Sequence, residues 1–324
     1  MRATLTNVSI GVYAWQMSVR LSTWREVAWD AMTRTADLGP DRLAYVELGT
    51  GDGPPVLLLH GLGGNWTVWL ENLPALAARR RVLAVDLPGF GRSAPASDGI
   101  SIPGYARTVR RFCAALGVET ADVVGNSLGG WVAAELALHD PARVRTLTLV
   151  DAAGIVPTRA ERWKAVSMMR GAQAMAPLAP RFRAHVASRP KLRRMALKYT
   201  VDDPAGLAAD LVYMALPPAP DPGFGPAFTA ARRSWSDAWC DRLTEIECPT
   251  LIVWGGRDAL LPLRHAREFA RRIRTSELAV VEDAGHLPML ERPGRFNELL
   301  LSFLDRYAPT AAEGRAETPA TFAS

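Results

Sequence analysis

An α/β fold, with a mostly parallel sheet covered by helices on both faces, is what three features of the sequence predict. Short β-branched or aliphatic runs recur, each followed by a longer helical pattern. Most of these runs are continuously apolar rather than alternating, as strands buried on both faces must be. The chain has 324 residues, 48% hydrophobic and 22% charged, enough to bury a large core. That composition excludes a wholly disordered, collagen-like or coiled-coil protein.

Residues 1–42, with Trp15, Trp24 and Trp29, read as a helical extension. The strand-like runs follow at 43–48, 56–60, 82–86, 122–125, 144–151, 250–254 and 278–281. The turn-rich stretch 49–55, Gly-Thr-Gly-Asp-Gly-Pro-Pro, predicts a link that closes an antiparallel hairpin between the first two runs. The rhythm stops at 154–247, where helix formers, Met and Pro replace strand-like text, and then resumes. A helical lid inserted between the sixth and seventh sheet strands accounts for both facts. The core is thus expected at 43–153 and 248–307, and 308–324 is a Pro/Ala/Thr-rich tail with little to bury, expected to be flexible.

Nowhere do about 18 consecutive apolar residues occur, so no spanning helix is expected. The apolar stretch at 10–15 is too short for the central region of a signal peptide. Cys113, Cys240 and Cys248 are odd in number and spaced for neither a disulfide framework nor a zinc site. A cytoplasmic protein, soluble or peripherally attached to a membrane, is the expectation.

The formal charge of +5 is unevenly distributed. Residues 157–200 hold eleven Lys or Arg against one acid, Glu161, a net +10 that leaves −5 for the rest. Two readings stay open: a solvated cationic face, or a surface that meets an anionic membrane. No nucleic-acid reading module is recognisable, so nucleic acid is not an expected partner.

The strongest local signal is Gly125-Asn126-Ser127-Leu128-Gly129-Gly130, where an apolar run passes straight into a helical pattern. Glycines two before and two after the serine permit an abrupt strand-to-helix turn that leaves the hydroxyl exposed at the helix start. A serine needs a base. Among five histidines, His286 sits just past the last strand-like run, in Ala284-Gly285-His286-Leu287, where it can reach over the sheet edge. The base needs a carboxylate to fix its tautomer. Asp258, in Gly255-Gly256-Arg257-Asp258, is preferred, with Asp151 the runner-up and Asp86 a weaker competitor. An oxyanion requires aimed amides. Leu128 N–H supplies one, and the turn His60-Gly61-Leu62-Gly63-Gly64 offers Leu62 N–H as the other.

With Asp86-Leu87-Pro88-Gly89-Phe90-Gly91-Arg92-Ser93 added, these motifs resemble the α/β-hydrolase fold superfamily over about residues 43–307. The resemblance implies a hydrolase with a Ser127, Asp258, His286 triad and no organic cofactor or metal. Dehalogenase and epoxide-hydrolase branches place Asp where Ser127 stands. The pattern around Ser127 is similar to that of meta-cleavage-product hydrolases, which cut carbon-carbon bonds, but those usually carry Trp beside the histidine where this chain has Leu287.

The expected function is therefore a serine hydrolase of carboxylic esters, esterase- or lipase-like, acting on a small-molecule ester that includes lipid-like ones. The alternatives are a carbon-carbon bond hydrolase and a catalytically silent binding protein of the same fold. Trp163, Met168, Met169, Met175, Leu178, Met195, Tyr199, Leu211, Tyr213 and Met214 give the lid an adaptable apolar inventory, either lining a pocket or packing the lid onto the body.

Overall fold

The computed structural model describes residues 23–51, 53–97, 99–175, 179–216 and 221–308, without the side chains of 168–181. Eight strands form one sheet: β1 (Thr33–Asp37), β2 (Arg42–Leu48), β3 (Val56–Leu59), β4 (Val82–Val85), β5 (Ala121–Asn126), β6 (Val144–Val150), β7 (Thr250–Gly255) and β8 (Ser276–Val281). Their spatial order is β1-β2-β4-β3-β5-β6-β7-β8. Only β2 runs antiparallel to its neighbours, β1 and β4; every pairing from β4 to β8 is parallel.

All seven strand-like runs are strands. Two expectations at the start of the sheet are corrected. Residues 33–37, placed within a helical extension, form β1, because Thr33-Arg34-Thr35 suits a half-exposed edge and Gly39, at φ +84°, turns the chain back into β2. Among the described residues of that extension, the helical reading holds for a short 3₁₀ turn (Trp24–Glu26) and α1 (Trp29–Met32); Trp15 lies outside them. The expected hairpin between the first two runs does not form: β2 pairs with β1 and β4, and β3 lies beyond β4. A link of turn residues permits a reversal without dictating which strand is met afterwards.

Period-two alternation divides the sheet between two cores. Leu57, Leu59, Leu83 and Val123 join Tyr105, Val109 and Phe112 of α3 (Ile102–Ala115) and Trp131 of α4 (Leu128–His139). Val56, Leu58, Ala84 and Val124 join Leu73 and Leu76 of α2 (Leu73–Ala77) and Phe296, Leu300 and Phe303 of α13 (Pro293–Arg306) on the other face. At roughly 1.5–3 kcal/mol for each large side chain, this burial outweighs any single cap or surface ion pair. Helix α4 is buried continuously from Leu128 to Ala137, with Glu135 as its one buried acid, which holds its N-terminus at the end of β5.

Helices α5 (Arg159–Met175), α6 (Ala179–Ser188), α7 (Pro190–Leu197), α8 (Ala209–Ala215), α9 (Phe224–Ser234) and α10 (Asp237–Arg242) lie between β6 and β7 in the chain. The remaining described helices are α11 (Arg264–Arg272) and α12 (Pro288–Glu291). The inserted segment is fastened at several points. Arg25 donates twice to Asp210, and Thr67 Oγ1 donates to the Met214 carbonyl. Gly223 N–H donates to the Gly89 carbonyl at 2.9 Å, while Asp221 accepts from Gly91 N–H. Burial lifts the carboxyls of Asp221 and its neighbour Asp86 each to about 6. The stretch at 10–15 and nearly all of the tail lie outside the described residues. No described helix is long and apolar enough to cross a membrane.

Candidate active site

Parallel β5, β6, β7 and β8 are neighbours, so the loops leaving their C-terminal ends emerge along one edge of the sheet. Ser127, Asp151, Asp258 and His286 all sit in these loops.

Ser127 has φ +52° and ψ −115°, a conformation that costs on the order of 1–3 kcal/mol for a residue with a side chain. The surroundings hold it there. Its N–H donates to the Val150 carbonyl at 3.0 Å, and its own carbonyl accepts from Trp131 and Ala153 N–H. The flanking glycines are required by space: a Cβ at Gly125 would overlap the backbone of Gly129, and one at Gly129 would overlap the carbonyls of Leu59 and His60. The strand-turn-helix geometry read from the motif is thus present.

His286 Nδ1 lies 2.7 Å from Asp258 Oδ2. A carboxylate only accepts, so the ring proton sits on Nδ1 and Nε2 is left as an acceptor. Both side chains are almost entirely shielded, 6% and 0% exposed. The second Asp258 oxygen accepts from Leu260 and Leu261 N–H at 2.7 and 3.0 Å, which fixes the carboxylate plane. The backbone of the two loops is in close contact, since a Cβ on Gly255 would overlap the Gly285 carbonyl.

Three residues that sequence reasoning did not place hold this arrangement. Asn126 Nδ2 donates to both the Val150 and His286 carbonyls at 3.2 Å, tying the residue before the serine to the histidine loop. Glu291 accepts from Gly285 N–H at 2.9 Å and from Asp202 N–H at 2.7 Å; burial pushes its carboxyl above the usual range. Thr200, in the inserted segment, accepts from His286 N–H through its carbonyl at 3.1 Å. Each is a long-range contact with no local motif to announce it.

The competing acids separate clearly. Asp86 is buried and accepts from Trp66 and Arg92 N–H, organising the turn after β4. Asp151 is fully buried, has φ +43°, and accepts from Gly255 N–H at 2.9 Å. Burial, and secondarily the charge of Asp258, push its carboxyl well above the usual carboxylate range. Asp151, Asp258 and His286 each offer one ligand atom within 4.8 Å of the others, the only such three-residue group among the described residues. The bond between His286 Nδ1 and Asp258 accounts for two members of the group, and the Nδ1 proton already occupies the nitrogen that faces the acids.

Leu62 lies in the turn closed by Gly64 N–H to the Gly61 carbonyl, and the Gly61 backbone packs against the Ser127 side chain. Leu128 opens α4, so its N–H has no intrahelical acceptor. His60 serves the architecture: Nδ1 donates to the Gly61 carbonyl, Nε2 accepts from Leu87 N–H, and burial lowers it to about 4. His139 is exposed at the end of α4, with Nδ1 on the Glu135 carbonyl; His185 is exposed in α6; and His265 is buried in α11 with Nε2 3.6 Å from Glu161.

Of the inserted segment's apolar inventory, Leu211 is buried, Met214 half-buried, and Trp163, Met195, Tyr199 and Tyr213 are exposed. The side chains of Met168, Met169, Met175 and Leu178 lie outside the described residues.

The family model for the alpha/beta hydrolase fold matches residues 54–293. The chain is 34% identical over 270 residues to an uncharacterised protein of Mycobacterium tuberculosis, covering 80% of this chain and 77% of that one. It is 34% identical to a pimeloyl-[acyl-carrier protein] methyl ester esterase of Aeromonas hydrophila, covering 78% of this chain and 96% of that one. A crystal structure of a bacterial membrane phospholipase A is similar with a TM-score of 0.67 and 28% identity, covering 85% and 86% of the two chains. With its sheet, serine turn and acid-histidine loops in this order, the chain belongs to the α/β-hydrolase fold family and is a hydrolase.

Proposed function

We propose that the protein hydrolyses carboxylic esters through an acyl-serine intermediate, with Ser127 as nucleophile, His286 as general base and acid, and Asp258 orienting the imidazole. The observation that carries this reading is the buried 2.7 Å bond between His286 Nδ1 and Asp258, on a loop that Asn126 ties to the serine turn. The inserted segment 154–247 serves as the lid. The names of an esterase and a phospholipase among the similar proteins support ester chemistry.

In this mechanism His286 Nε2 takes the hydroxyl proton as Ser127 Oγ bonds to the carbonyl carbon. The carbonyl electron pair moves onto oxygen, where Leu62 and Leu128 N–H stabilise it. Collapse of the tetrahedral intermediate breaks the carbon-oxygen bond, and His286 returns the proton to the departing alcohol. Water then attacks the acyl carbon, gives its proton to His286, and the acid leaves as Ser127 is reprotonated. Cys113, Cys240 and Cys248 are all free thiols, in keeping with a reducing cytoplasm, the compartment we assign.

A p-nitrophenyl ester series of increasing chain length, run with wild type and Ser127→Ala beside a ring-fission dienoate, tests the proposal. Ester turnover that falls by about 10⁴-fold or more in Ser127→Ala is expected. Ester turnover unchanged by the substitution refutes the acyl-enzyme. Turnover of the dienoate alone assigns carbon-carbon cleavage, and turnover of neither substrate points to a binding protein.

A further inference from the structure

Five of the seven large apolar side chains that stand exposed among the described residues belong to the inserted segment: Trp163, Phe182, Met195, Tyr199 and Tyr213. Four of them, Trp163, Phe182, Met195 and Tyr199, fall within 157–200, the stretch with eleven basic residues and one acid. The acid is already engaged, since Glu161 accepts from Arg264 and Thr158. Two kinds of side chain that ordinarily separate, bare apolar groups and unneutralised cations, therefore occupy one region.

Their arrangement is ordered. Lys191, Arg194 and Met195 of α7 and Lys198, which caps its C-terminus, follow one another at i, i+3, i+4 and i+7, which places them on one face of the helix; all four are exposed. None of the three cations forms an ion pair with a described carboxylate. Arg193 is turned the other way, buried and bonded to the carbonyls of Ala187, Pro204 and Ala205, so the run of basic residues is split between a structural member and an outward set. Beyond the helix end, Lys198 and Lys164 both lie over the Tyr199 ring, at 4.5 and 5.8 Å. That pairing joins α7 to α5, where Trp163 is 75% exposed.

The patch is anchored beside the candidate active site. Tyr199 precedes Thr200, whose carbonyl accepts from His286 N–H. Lys164 donates to the carbonyl of Ala259, the residue after Asp258.

A cationic face that served only hydration would have no use for an exposed Trp and a 72% exposed Met at its centre. Interleaved Lys/Arg and Trp/Met are what a helix needs to lie in a bilayer interface, with the apolar groups entering the acyl boundary and the cations at the headgroups. We propose that the outer face of α7, with Trp163 and Lys164 of α5, docks the protein on a lipid surface carrying anionic headgroups and brings the mouth of the site to that surface.

The test uses the full chain carrying Ser127→Ala, so that binding is read without turnover and a failure here is separate from a failure of the ester reading. The protein is sedimented with phosphatidylcholine vesicles, alone and mixed with phosphatidylglycerol, over a salt series. Co-sedimentation with the mixed vesicles at low salt, weakening as salt rises, is expected. Lys191→Glu/Arg194→Glu/Lys198→Glu should lower the partition coefficient about a hundredfold or more. Trp163→Ser/Met195→Ser should reduce the binding that persists at higher salt. The neutral set Lys191→Gln/Arg194→Gln/Lys198→Gln, with melting temperatures for all variants, separates lost binding from lost fold. Absence of binding to mixed vesicles at low salt, or binding that both folded charge variants retain in full, overturns the proposal. Retention of a DNA duplex without retention on vesicles overturns it in favour of nucleic acid.

Discussion

Asp151 stands against Asp258: an oxygen of each, with a ring nitrogen of His286, falls within 4.8 Å of the others. Two carboxyl groups this close and this buried do not both ionise. Asp258 holds three hydrogen bonds from N–H donors, whereas Asp151 holds one, and burial, with the Asp258 charge beside it, pushes the Asp151 carboxyl well above the usual carboxylate range.

Asp151→Asn should therefore be tolerated. Asn accepts from Gly255 as the acid does, resembles the protonated carboxyl in shape, and is among the residues that adopt positive φ most readily. A kcat within about threefold of wild type is expected. The sign of the pH effect follows from the upward shift of Asp151: its contribution to wild-type stability is complete below the unfolded carboxylate range and is lost as pH rises through the folded value. Thermal melts from about pH 4 to about pH 8 should show the Asn variant gaining on wild type as pH increases.

Asp258→Asn should behave oppositely. An amide can present its NH₂ to His286 and so favour the wrong tautomer, leaving the Nε2 nitrogen protonated when the serine needs an acceptor. A loss of about 10³–10⁴ in kcat on a p-nitrophenyl ester, with a circular dichroism spectrum like that of wild type, is expected.

Asp221 fastens the inserted segment to the Gly89–Gly91 turn, and its carboxyl is lifted to about 6 by burial. The fold favours its protonated form, so the stability it lends is full below about pH 4 and is lost as pH rises through about 6. Asp221→Asn keeps the acceptor for Gly91 N–H and removes the charge. Because the group retains partial solvent contact, a gain of about 1 kcal/mol at pH 8 and none at pH 4 is expected from denaturant titrations.

Glu291→Gln replaces one of two acceptor oxygens by an NH₂ that meets an N–H. A loss of about 1–3 kcal/mol in stability is expected. Gly285 immediately precedes His286, and Asp202 lies two residues after Thr200, whose carbonyl accepts from His286 N–H, so kcat should fall more than KM rises. Steady-state kinetics and melts on one preparation check both.

What could be read from the residues and what could not have a common physical origin. The seven apolar runs and the glycine-bracketed serine are local: a Cβ at Gly125 or Gly129 collides with nearby backbone, so the motif and its geometry are one statement. The order of β2, β4 and β3 is decided by which faces are buried across the sheet, which a turn-rich link at 49–55 does not encode. β1 was missed because an edge strand needs only one apolar row, and Thr33-Arg34-Thr35-Ala36-Asp37 buries Ala36 alone. The sequence favours Asp258 over Asp151, but both follow parallel strands, and it is the loop geometry that brings the Asp258 carboxylate to Nδ1. Asn126 and Glu291 were silent because their partners lie in other loops.

The shared grip of Glu291 on Gly285 and Asp202 bears on how such a fold can be re-engineered. One side chain holds both the residue before the histidine and a residue of the inserted segment, so that segment is part of the histidine's mounting. A chimera that grafted another cap onto this body would strip a buried carboxylate of one donor and the His286 amide of its acceptor, and would have to be redesigned at both positions before the ring stood upright again.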